Sequence, residues 1–159
     1  MEREDTARGR RVGVADLIRD WSEGLCFVTE LSPAAIAHAI GVADPVLDGA
    51  GHGRIEPPPS GLTYALLVGG PVAHLDLGLE RRVVDRATLD ARFGRGHPLP
   101  RVDYDRPYVL AYEVSVAGAP ARCSVFGRFD ERPTTAIVEA SGVTLRVDPG
   151  FDSATAGST

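Results

Sequence analysis

Apolar residues recur at helical spacing in three stretches of the chain and alternate with polar ones through much of the rest. Between Arg11 and Gly24, the residues Val14, Leu17, Ile18 and Trp21, followed by Leu25, sit at i, i+3, i+4 intervals. That spacing predicts an amphipathic helix stopped by Gly24, with Trp21 as a core anchor. A second helix is expected where Ser32 offers a capping oxygen and Pro33 occupies the first turn, whose amide has no intrahelical partner in any case. It ends at Gly41, with Ile36 and Ile40 on one face and His38 off it. A third starts after Asp85, packs through Leu89 and Phe93 and stops at Gly94.

Alternation with period two predicts strands. Residues 62–68 and 72–80 flank Gly69 and Gly70; Ala73, Leu75, Leu77 and Leu79 form the inward set, and His74, Asp76 and Gly78 the outward one. Residues 108–116 follow the same rule, with Tyr108, Leu110, Tyr112, Val114 and Val116 on one side. Further strands are expected at 25–30, 121–129, 136–140 and 143–147. Residues 42–61 and 95–107, rich in Gly and Pro, read as two long loops. Structureless segments of that length tend to be functional.

The helix signals come as a matched pair. Residues 31–41 (LSPAAIAHAIG) and 84–94 (VDRATLDARFG) place apolar, cap, Ala, apolar and Gly positions in one register without a gap. Downstream, Gly69-Gly70-Pro71 with Gly78 is echoed by Gly118-Ala119-Pro120 with Gly127. The expected fold is therefore α+β: a tandem helix–loop–β-hairpin repeat, about 25–80 and 81–148, in which an antiparallel sheet carries the helices packed on one face. One domain is expected over 11–148, between a polar flexible leader at 1–10 and a flexible tail at 149–159 rich in Gly, Ser, Thr and Ala.

Composition narrows the function classes. The chain has 159 residues and a net charge of −5, and all 17 of its Lys and Arg positions are Arg. The absence of Lys and Asn with abundant Ala, Arg and Gly points to a GC-rich, bacterial genome. An acidic chain with scattered cations argues against nucleic-acid binding. The charged start, Met1 to Asp5, and the lack of a long apolar run predict no secretory signal, no membrane span and a cytoplasmic protein. Cys26 and Cys123 are then expected as two separate buried thiols, with a disulfide or redox pair as the alternative.

Candidate chemistry is sparse. His74 and Asp76 share the outward face of one strand, where neighbouring strands bring Glu113, Ser115 or Arg146; a base beside a carboxylate is the minimum of acid–base chemistry. The second loop holds His97, Asp103, Tyr104 and Arg106, and Tyr and Arg are enriched where proteins bind one another. Asp44, Asp48, His52 and Glu56 recur every fourth residue, but Pro45, Gly49, Gly51 and Gly53 oppose the helix that would align them, so no metal is expected. No serine lies in a Gly-x-Ser-x-Gly elbow, and Gly49 to Gly53 lacks the Lys-Ser/Thr of a phosphate loop, so no cofactor is expected either.

The repeated unit, through Gly41, Gly94 and the hairpins after them, resembles the tandem helix-plus-sheet modules of β-lactamase-inhibitory proteins and the smaller outer-membrane assembly lipoprotein domains. The chain departs from them in having no signal peptide, no lipobox cysteine and no paired disulfides, and no site residue or activity carries over. The expectation is a binding protein of inhibitor, immunity or adaptor type, partnered by another protein and open to homodimerisation. The competing class is a small enzyme or small-molecule binder with a pocket between helices and sheet.

Overall fold

The computed structural model describes residues 2–69, 73–101 and 105–148, with the backbone alone for 2–12. Among the described residues, three helices, α1 (Glu2–Leu25), α2 (Pro33–Ala39) and α3 (Arg86–Phe93), accompany eight strands. These are β1 (Val46–Leu47), β2 (Gly53–Arg54), β3 (Leu62–Val68), β4 (Ala73–Leu79), β5 (His97–Pro98), β6 (Tyr108–Val114), β7 (Arg122–Phe129) and β8 (Gly142–Asp148). They form one antiparallel sheet in the order β1-β2-β3-β4-β8-β7-β6-β5. The expected α+β class with an antiparallel sheet is correct. The position of β8 was not expected: it lies between the hairpins β3–β4 and β6–β7 and joins them.

Alternation sorts the side chains into two faces. One transverse row runs Leu67, Leu75, Leu145, Val125, Tyr112, and every member is buried. These side chains and the buried residues of the helices (Val14, Ile18, Trp21 and Leu25 of α1, Ile36 of α2, Leu89 of α3) belong to one hydrophobic cluster. Trp21 thus serves as the core anchor expected of it. Helix α1 packs against β7 and β8 and touches both shorter helices, α2 packs on β3, and α3 on β6. Burying a large aliphatic side chain of this kind contributes roughly 1.5–3 kcal/mol, so the central rows supply much of the driving force.

Several expected boundaries are corrected. Helix α1 starts at Glu2, inside the segment expected to be a leader, and continues past Gly24 to Leu25. Residues 26–30 form no strand: the amides of Cys26, Phe27 and Val28 bond back to Glu23, Gly24 and Leu25, which unwinds the helix end in tight turns. The 42–61 loop contains the β1–β2 hairpin, closed by Asp48, whose Oδ1 accepts the N–H groups of Ala50 and His52 at 2.9 Å. Those bonds, the His52 amide foremost, hold the Asp48 carboxyl below its ordinary pKa.

Residues 136–140 are not a sheet strand. Their carbonyls at Val138 and Ala136 instead accept the N–H groups of Arg86 and Ala87, and only Glu139 forms a bridge, to Asp85. A helix start leaves its first amides without intrahelical partners, and this segment supplies them. Asp85 completes the cap through Thr88 N–H at 2.8 Å, as Ser32 does for α2 through Ala35 N–H at 3.2 Å.

Cys26 and Cys123 are not separate thiols. They are disulfide-bonded, with Cα atoms 5.5 Å apart across a sequence separation of 97. The end of α1 lands on β7, and the Cys26 carbonyl accepts the Ala121 amide beside the bond.

Candidate arginine-lined cleft

The sheet face opposite the buried rows carries the polar candidates. A single row crosses all eight strands: Val46, Arg54, Leu66, Asp76, Thr144, Phe126, Ala111, His97. His74 sits one row away, opposite Arg146; Ser124 lies opposite Arg146, and Glu113 opposite Ser124. The expected neighbours Arg146 and Glu113 are therefore in His74's row. His97 is separated from Asp76 by four strand steps, roughly 19 Å at the usual strand spacing, so these residues do not form one site.

The Asp76 carboxylate is not paired with His74. Its Oδ1 lies 2.8 Å from Arg128 Nη2 and accepts the Thr144 hydroxyl at 2.8 Å. Arg128 Nη2 also donates to the Leu77 carbonyl at 3.0 Å and to Tyr64 Oη at 3.3 Å. Two glycines make room for this arrangement. Gly78 and Gly142 face each other across β4 and β8. A Cβ on Gly78 would strike the Tyr64 ring, and one on Gly142 would strike the Arg128 guanidinium. The cation is thus matched by a carboxylate of the same fold, and the group ties strands together.

A different arrangement occupies the outer edge of the sheet. Residues 95–101 turn from α3 along β6 and border a cleft of about 520 Å³. Its polar lining comes from Arg86, Arg95, Arg101 and Arg132, and its apolar wall includes Leu99, Tyr108 and Pro133. No described residue that lines it is acidic. The guanidinium carbon of Arg101 stands 4.1 Å from the centroid of the Tyr108 ring, and that of Arg132 stands 5.8 Å from it. Arg86 is a strut: its Nε lies 3.4 Å from Asp90 Oδ2, and its Nη1 donates to the Pro133 carbonyl at 2.9 Å, holding the Arg132 segment over the cleft.

Behind Gly96 of the lining, β6 and α3 are tied together. Tyr112, buried in β6, donates its hydroxyl to Asp90 Oδ1 of α3 at 2.7 Å. Burial first, and then that bond to a carboxylate, push the Tyr112 pKa above its ordinary value of 10.0. Gly96 lies flat against the same ring, where any Cβ would collide. The path of the chain from α3 into the cleft is fixed by this contact.

The sequence candidates meet the cleft only in part. His97 is exposed in β5, next to Pro98 of the lining. Arg106 contributes its carbonyl, which accepts Arg101 Nε at 2.9 Å, rather than its guanidinium. Asp103 and Tyr104 lie outside the described residues. None of His74, Asp76 and His97 lines this cleft. Another cleft, of about 780 Å³, mixes Glu113 and Asp148 with Arg122 and Arg146, so its charges are balanced within the fold.

Leu99, Arg95, Arg101, Tyr108 and Arg132 were not singled out from sequence. The Arg95 and Arg101 pair in a Gly/Pro loop ahead of Tyr108 was a usable signal. Arg132 carried none, because it reaches the site from the turn after β7. Comparison with protein-family models, curated proteins and solved structures finds no match. Among the described residues no helix is long and apolar enough to cross a membrane.

Proposed function

We propose that this chain is a non-covalent binding protein, that its partner is another protein, and that recognition is centred on the cleft beside β5 and β6. The observation that carries this reading is Tyr108 flanked by Arg101 and Arg132 in an open cleft, with Leu99, 44% exposed, at its margin. Aromatic and arginine side chains supply contact area and directed hydrogen bonds together, which is why they dominate binding energies at interfaces. An adaptor, inhibitor or immunity role fits such a surface. The matched caps and outer-strand packing of α2 and α3 favour descent of the two helix–hairpin units from one duplicated unit. A second copy of the chain is the competing partner.

Replacing Tyr108 by Ala removes the platform on which both arginines rest. Capture of the partner by the immobilised full chain should fall at least about tenfold, which corresponds to about 1.4 kcal/mol, while the circular dichroism spectrum is unchanged. Equal capture by the variant sinks the assignment of the surface, and a concentration-dependent dimer that Tyr108→Ala abolishes selects the second copy.

A further inference from the structure

Resting on that reading, we infer that the group received by the cleft is the carboxylate of an acidic protein segment, held by Arg95 and Arg132. Four guanidinium groups line one cleft of a chain whose net charge is −5. Arg86 is matched by Asp90, and Arg101 is engaged through its Nε and the Tyr108 ring. Arg95 and Arg132 form no ion pair among the described residues. The nearby acids Asp130 and Glu131 line a neighbouring cleft with Arg81, not this one. A cationic cleft on an acidic protein repels cationic ligands only locally, and charges beyond about 8 Å are screened at physiological salt, so the cleft attracts an anion despite the overall balance.

The chemistry of the anion follows from what surrounds it. A guanidinium presents paired N–H donors in a plane, which matches the two oxygens of a carboxylate. The same fork matches phosphate, but free-phosphate sites commonly add backbone amides at a helix start. The α3 start offers none: the amides of Arg86, Ala87 and Thr88 are taken by Val138, Ala136 and Asp85. The apolar wall of Pro98, Leu99, Val109 and Pro133 would be left wet by a small inorganic anion. A segment that alternates acidic and apolar side chains uses both the wall and the arginines.

The test is fluorescence anisotropy at physiological salt with the full chain and a fluorescein-labelled peptide of alternating glutamate and leucine. The wild type should bind it, and Arg95→Ala/Arg132→Ala should weaken binding at least about tenfold with an unchanged melting temperature. Arg132→Glu, which keeps a long polar side chain, should abolish it. Arg128→Ala should leave it unaltered. The glutamine analogue of the peptide should bind at least about tenfold more weakly. Equal binding of that analogue, unchanged affinity in the double variant, or displacement by an equal concentration of inorganic phosphate overturns the inference. If the glutamate peptide fails to bind while partner capture still depends on Tyr108, the acidic segment is excluded and the protein-binding reading stands. If capture is indifferent to Tyr108, both fall.

Discussion

Two places in this molecule set an arginine against a tyrosine, and they differ in one component. On the central strands, Tyr64 meets Arg128, and Asp76 lies 2.8 Å from the guanidinium. At the edge, Tyr108 meets Arg101 and Arg132, and no carboxylate lines the cleft among the described residues. In the first group the charge is matched within the fold: Arg128 Nη2 faces Asp76 and the Leu77 carbonyl, Thr144 donates to the same carboxylate, and only the guanidinium Nε is buried without a partner. In the second, Arg95 and Arg132 form no ion pair among the described residues. The same pair of residue types thus serves as a cross-strand tie in one place and, on the function proposed above, as a receptor for outside charge in the other.

The largest expected perturbation acts on the strand behind both regions. Cys123→Ser cuts the link between α1 and β7, whose closed loop spans 97 residues. Chain-entropy arguments put the loss at up to about 4.7 kcal/mol, read as a drop in the urea midpoint that reductant reproduces in the wild type. Edge binding should persist wherever the variant remains folded. Loss of peptide binding in a folded Cys123→Ser chain would mean that the two regions are not separable.

Asp76→Ala attacks the completed group. It leaves Arg128, whose Nε is already buried without a hydrogen-bond partner, facing no anion. A stability loss of about 1–2 kcal/mol is expected in urea unfolding, with peptide affinity unchanged. A variant as stable as wild type would show that the ion pair is dispensable and would blur the contrast.

Tyr112→Phe tests the floor of the edge region. Removing one hydroxyl-to-carboxylate bond should cost about 1 kcal/mol at neutral pH. The pH dependence has a definite sign. The folded state holds the Tyr112 proton more tightly than the unfolded chain, whose value is about 10.0, so this contribution is intact below that pH and is lost as pH rises toward the folded value. Each unit of that rise removes up to about 1.4 kcal/mol, and the Phe variant should lack this component of the alkaline slope. Parallel alkaline slopes for the two proteins would contradict the placement of Tyr112.

The smallest expected effect on stability belongs to Arg132→Ala, below about 0.5 kcal/mol, because the side chain is exposed and matched by no carboxylate in its cleft.

Local features of the fold were legible in the sequence. Ser32 and Asp85 cap the helices they were expected to cap, and Ala73, Leu75, Leu77, Leu79, Leu110 and Tyr112 are buried as read, whereas Gly78, read as facing water, is buried and Tyr108 and Val114 are only half-buried. Non-local pairings were not legible. Nothing in residues 142–148 says that they insert between strands more than sixty and about twenty residues upstream, since loop closure leaves no mark on a strand's own pattern. The cysteines were misread because a separation of 97 hides a Cα distance of 5.5 Å. The two-residue strands β1, β2 and β5 are too short to show a period. The matched glycines also part company: a Cβ at Gly78 would meet Tyr64, whereas one at Gly127 would meet Leu89. Asp76 was picked out for its neighbour in sequence, His74, while its partner Arg128 comes from another strand, and the edge cleft went unread because Arg132 arrives from beyond β7.

One paired measurement reaches the centre of this account: melting temperature and affinity for the glutamate–leucine peptide, determined side by side for Arg128→Ala and Arg132→Ala. The two variants should cross over, the first losing several degrees and no affinity, the second losing at least about tenfold in affinity and no more than a degree or two. Equal affinities, or a greater loss of stability in Arg132→Ala than in Arg128→Ala, would contradict it.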